Sequence, residues 1–129
     1  MPQVRIETRD HWLNGRYEAL YDAIQAAMVE GIKIPEDDRC YRLVTYDADH
    51  FPIVPGKSDR FIIIEIALFA GRSMAAKRNM YAAIVRNLKA ALDLDPNDIR
   101  IVLEENSREN WGMGGKPASE IDLGFKVEV

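Results

Sequence analysis

Apolar and polar residues alternate at the start of the chain. Val4 and Ile6 stand between Gln3, Arg5 and Glu7, a period of two that predicts a strand over residues 2–8. The period then lengthens: Leu13, Tyr17, Leu20, Tyr21, Ile24 and Met28 fall on one side of a 3.6-residue repeat, predicting an amphipathic helix ended by Gly31. Ile34-Pro35 turns the chain into a second strand over 40–46. The stretch 47–59, DADHFPIVPGKSD, carries two prolines and a glycine and reads as an unusually long connection, of the kind that often covers a site. Residues 61–68 hold three consecutive isoleucines and predict a strand buried on both faces. Ser73 caps a second helix with an apolar stripe of Tyr81, Ile84, Leu88 and Leu92, flanked by Met80 and Ala91. A strand over 99–104, a glycine-containing loop over 106–116 and a final alternating strand over 123–129 complete the pattern.

This order repeats. Strand, helix, turn and strand recur at an offset of about sixty residues, and Pro35-Glu36-Asp37-Asp38-Arg39 aligns with Pro96-Asn97-Asp98-Ile99-Arg100. The fold class is therefore α/β (α+β): two tandem βαβ units with right-handed crossovers, building one four-stranded mixed sheet with both helices on one face. The opposite face is expected to hold uncovered apolar residues, which predicts self-association.

Composition narrows the functional classes. The 129 residues suit one domain spanning 1–129, and 47% hydrophobic with 29% charged content is that of a soluble globular protein. A net charge of −4 argues against a nucleic-acid partner, though a small anionic substrate needs only local cations. Cys40 is the single cysteine and has no partner in the chain for a disulfide; it reads as a small half-buried strand residue. No apolar run, 61–64 included, is long enough to cross a bilayer, and the first residues lack a signal segment. The expectation is a cytoplasmic enzyme or binding module with no membrane partner. His11 and His50 lack ligand spacing, so no metal is expected.

The opening Met-Pro, the two βαβ repeats, the stretch FIIIEIALFAGRSM over 61–74 and the loop NWGMGGK over 110–116 together resemble the tautomerase superfamily. The similarity runs along essentially the whole chain and is nearest to the malonate semialdehyde decarboxylase branch. It implies a homotrimer whose sheets surround a central core, sites near subunit boundaries, and neither a metal nor an organic cofactor.

The resemblance also implies a site. Pro2 would become a secondary amine on removal of Met1. Burial lowers the pKa of such an amine and makes it a general base, whereas a nearby carboxylate keeps it protonated, a general acid. The plainer reading of Pro2 is the first residue of an edge strand. Arg72 follows the long strand, where a guanidinium can grip a substrate carboxylate; the alternative is a solvated cation at a helix start. The decarboxylase pattern has two arginines flanking one residue, and here Ala70-Gly71-Arg72 retains only the second. Asp38 matches the family's acid before the second strand, to activate water or orient a substrate oxygen, or else it is an exposed turn residue. Asp37 and Arg39 read as turn and ion-pair structure. Trp111 matches a tryptophan that would wall the amine from water, or it anchors a subunit interface. Trp12 reads as packing ahead of the first helix, and Glu104 and Glu105 point to opposite faces of a strand.

Three functions are then expected to compete. The first is a cofactor-independent tautomerase of small 2-oxo acids such as phenylpyruvate, with Pro2 as base and Arg72 and Trp111 binding the carboxylate substrate. The second is a decarboxylase or hydratase of a 3-oxo or unsaturated acid, with cationic Pro2 and Asp38 handling water. The third is a trimeric binding protein without turnover.

Overall fold

A computed structural model describes residues 2–129; the expected removal of Met1 lies outside the described residues. The strands are β1 (Gln3–Arg9), β2 (Tyr41–Tyr46), β3 (Ile62–Phe69) and β4 (Ile99–Asn106), and the helices α1 (Tyr17–Ile32) and α2 (Met74–Leu92). The sheet order is β2-β1-β3-β4, with β1 parallel to β2, β3 parallel to β4, and the two halves joined antiparallel through β1 and β3. This is the expected pair of βαβ units in one four-stranded mixed sheet. Both helices cover one face. There Val4, Ile6, Ile62, Ile64, Ile66 and Leu68 pack against Leu20, Ile24, Met28, Ile84 and Leu88 in one core.

The helices touch at Gly31. A Cβ there would lie 2.6 Å from the Met80 Cα. Gly31 therefore does not end α1; it lets α2 approach. The helix runs on to Ile32 and stops at Lys33, which takes the left-handed conformation at φ 59°. Asn87 Nδ2 donating to the Ala23 carbonyl (3.1 Å) and the Glu30–Arg86 ion pair (2.7 Å) flank this contact.

Trp12 packs as expected, and a buried polar pair fixes it. Trp12 Nε1 donates to Thr8 Oγ1 (3.0 Å), and that hydroxyl donates to the Phe61 carbonyl (2.8 Å). The Arg60 guanidinium caps the indole at 4.9 Å. Thr8→Val keeps the shape but leaves a buried donor and a buried acceptor unpaired, so chemical denaturation should show a loss of about 1–3 kcal/mol. An unchanged midpoint would refute this account of Thr8.

Three expectations need correction. Burial along β3 alternates, because the face away from the helices is open: Ile63, Glu65 and Ala67 are only half-buried there. The uncovered apolar residues expected on that open face are present, but they stand among charges. Arg5, Glu7, Arg42, Arg100 and Glu104 interleave with Val44, Ile63 and Val102, and Glu7 pairs with Arg5 (3.3 Å) and accepts from the Tyr46 hydroxyl. Residues 123–129 form no strand. Leu123, Phe125, Val127 and Val129 do turn inward in alternation, but Gly124 at φ +74° breaks the extended run, and the segment packs on Phe69. Cys40, expected half-buried in a strand, is exposed just before β2.

Candidate active site

Strand direction gathers the proposed residues at one end of the sheet. Because β1 and β3 are antiparallel with Gln3 opposite Ala67, Pro2 at the start of β1 meets the end of β3. Because β1 and β2 are parallel, it also meets the turn before β2, where Val4 N–H donates to the Cys40 carbonyl (2.9 Å). Parallel β4 ends level with Phe69 and passes into the loop carrying Trp111. Pro2 is buried.

Arg72 follows β3 after Gly71, whose φ of +135° favours glycine and turns the chain towards α2. Its side chain folds inward, leaving the residue only 6% exposed. Nη1 donates to the Phe69 carbonyl (2.8 Å), whereas Nε and Nη2 are buried without a hydrogen-bond partner among the described residues. Burial lowers the Arg72 pKa below the usual guanidinium value. The carboxylates of Glu105 and Glu128 oppose that shift, Arg108 adds to it, and Asp38 opposes it. Two buried cationic donors left open cost stability unless an anion meets them.

Asp38 is half-buried while Asp37 is exposed, which separates the two acids as the repeat comparison suggested. The turn that carries Asp38 hangs on one side chain unnoticed in the sequence. Gln25, buried on α1, donates from Nε2 to the carbonyls of Pro35 (3.3 Å), Glu36 (3.2 Å) and Asp38 (3.1 Å), and its Oε1 accepts from the Tyr41 hydroxyl (2.8 Å). The expected ion-pair role of Arg39 is met by Asp22 at 2.6 Å. The repeat equivalent of Asp37 behaves differently: Asp98 is buried and accepts from Ser58 N (2.8 Å) and Oγ (2.6 Å).

Trp111 stands edge-on to Phe69 with ring centroids 5.0 Å apart, and its Nε1 is buried without a hydrogen-bond partner among the described residues. The loop is more ordered than its glycines suggest, since β5 (Gly112–Met113) and β6 (Lys116–Pro117) close a short hairpin through Gly114 and Gly115 at positive φ. Three contributors were not read from the sequence: Phe69, Arg108 and the segment 121–129. Arg108 lies over the Phe69 ring at 5.9 Å and faces Glu128 at 3.6 Å; Val127 is buried against Phe69. The inward alternation of 123–129 was the one signal for that segment. Among the described residues no group of three His, Cys, Asp or Glu side chains gathers to hold a metal, and no helix is long and apolar enough to cross a membrane.

Two βαβ units joined antiparallel in one four-stranded sheet define a tautomerase-type fold, with a proline just before the first strand and a buried arginine after the third. A family model described as tautomerase enzyme matches residues 38–114, more than half of the chain, and the protein belongs to that family. It is 28% identical over 127 residues to the probable tautomerase YusQ of Bacillus subtilis, covering 95% of this chain and all of that one. Among solved structures it is similar to FG41 malonate semialdehyde decarboxylase, at 28% identity and TM-score 0.79 over 91% of this chain and 92% of that one. Native fused 4-OT shares the fold, with TM-score 0.82, 22% identity and coverage of 95% and 99%.

Proposed function

We propose that this chain is a cofactor-independent tautomerase of small 2-oxo acids, phenylpyruvate-like compounds included, with the Pro2 amine as general base. The single observation behind the reading is Arg72, a buried cation with two open donors at the sheet end where Pro2 begins the chain's first strand. A carboxylate accepting from Nε and Nη2 would be gripped by two charge-assisted hydrogen bonds while Nη1 stays tied to Phe69. Pro2 takes the proton from the enol hydroxyl or the α-carbon and returns it at the other atom, so the reaction needs no further reactant. Pro2 is buried, and burial disfavours the charged form of an amine, which supports the neutral base. Trp111 and Phe69 form the apolar wall.

Self-association as a trimer belongs to the same proposal. Structures of fused 4-OT with similar folds are described as trimers, and the half-buried Ile63 and 41% exposed Val102 on the open sheet face provide apolar area among charges that can pair between copies.

The test is ketonisation of the enol of phenylpyruvate by protein shown by intact mass to lack Met1. Pro2→Ala should slow it by about 10²-fold or more. Equal rates for the two proteins would reject the reading. A second reading, decarboxylation or hydration with Pro2 as acid, is favoured by the likeness to FG41 malonate semialdehyde decarboxylase and by half-buried Asp38. Titration of the Pro2 nitrogen separates them: a pKa below the α-amino reference of roughly 8 supports the base, one above it the acid.

A further inference from the structure

Position 70 is an exposed alanine, and the cation that acts on Arg72 through space is Arg108. Arg108 approaches from the turn before Trp111, and the Phe69 side chain and backbone are the common support. Arg72 bonds the Phe69 carbonyl, Trp111 packs edge-on to the Phe69 ring, and Arg108 lies over that ring at 5.9 Å. Glu105, which also acts on Arg72, is itself engaged by Lys77 at 2.5 Å.

Arg108 is held differently. Its partner is Glu128 at 3.6 Å, beyond hydrogen-bond length, with the Arg108 side chain 32% and the Glu128 side chain 65% exposed. An exposed, loosely aligned ion pair contributes about 0–1 kcal/mol, so a better-aligned carboxylate can take its place. Glu128 is delivered by the segment packed on the site: a Cβ at Gly71 would meet Val127 Cγ1 at 3.3 Å and Glu128 Cγ at 3.5 Å. The Ser73 N–H, donating to the Val129 carbonyl (2.9 Å), ties the segment down.

We propose that Arg108 is a second carboxylate-binding residue of this site, and that Glu128 is its resident counter-ion, which the substrate carboxylate displaces. The inference rests on the reading of Arg72 as the primary carboxylate grip. An internal carboxylate in that position lowers affinity for monocarboxylates and keeps the two guanidinium groups from repelling each other in the free protein.

Calorimetric titration with 3-phenylpropanoate, an unreactive carboxylate, tests this without turnover. Arg108→Ala should weaken binding about tenfold, equivalent to about 1.4 kcal/mol, and Arg108→Lys should recover part of it. Glu128→Gln should tighten binding several-fold. With the enol of phenylpyruvate the same changes should appear in KM more than in kcat. If alanine loosens the loop, Arg108→Gln keeps the packing on Phe69 and gives the same reading. Native-like binding by Arg108→Ala together with weakened binding by Arg72→Ala would overturn the inference alone. Native-like binding by both would overturn the carboxylate grip itself. Unchanged or weaker binding by Glu128→Gln would reject the counter-ion.

Discussion

Arg72→Met is expected to lower kcat/KM for a 2-oxo acid by about 10²–10³-fold while leaving the melting temperature unchanged or raised. Each hydrogen bond to a charged group contributes about 1.5–3 kcal/mol, and the variant loses the two that Nε and Nη2 would make with the substrate carboxylate. Against this, the free protein keeps a buried arginine, the residue 6% exposed, with only Nη1 bonded. Methionine of similar length removes that desolvated charge and costs one bond, to the Phe69 carbonyl, so the folded state loses little or gains. A residue kept for packing gives the opposite pattern, lost stability with retained activity. Steady-state kinetics and a thermal melt on one preparation decide between them, and a large drop in melting temperature with unchanged kcat/KM would refute the assignment.

The second large effect concerns the fold. Gly31→Ala is expected to destabilise the protein by about 1–3 kcal/mol even though alanine is the better helix former by about 1 kcal/mol. The added Cβ meets backbone, the Met80 N at 2.7 Å and Cα at 2.6 Å, and neither is the yielding end of a flexible side chain. Relief requires α1 and α2 to part along a contact that also holds the Asn87–Ala23 and Arg86–Glu30 interactions. Gly31→Val should be worse again. Gly112→Ala, where a Cβ would meet nothing within 4 Å, is the control and should fall within about 0.5 kcal/mol of the native protein. Denaturant midpoints measure all three, and a Gly31→Ala protein as stable as the control would refute the close approach.

Much of this architecture was legible in one dimension because its causes are local. Period-two alternation marked β1, the run of isoleucines marked β3, and the 3.6-residue stripes of Leu20, Ile24 and Met28 and of Ile84, Leu88 and Leu92 marked the helices. Ser73 was legible as a cap since its side chain needs only the Ala76 N–H three residues on. Gly31 was misread for a physical reason: a glycine near a helix end serves equally as a stop or as a place for close approach, and only Met80, 49 residues away, decides which. The segment 123–129 failed likewise. Its alternation records which side chains turn inward, but a ladder needs a neighbouring strand, and Phe69 supplies only an apolar surface.

By itself, then, the sequence determined the two βαβ units and their mixed sheet, because spacing and residue type carry that information; the candidacy of Pro2, Asp38, Arg72 and Trp111 came from its resemblance to the tautomerase superfamily. The tertiary structure alone decided that Arg72 is buried with open donors, that Gln25 holds the Asp38 turn, and that Arg108 and Glu128 stand beside them. Those facts depend on strands distant in the chain ending at the same level of one sheet. Burial, and with it the electrostatic strength of a guanidinium, is a property of what surrounds a residue in space.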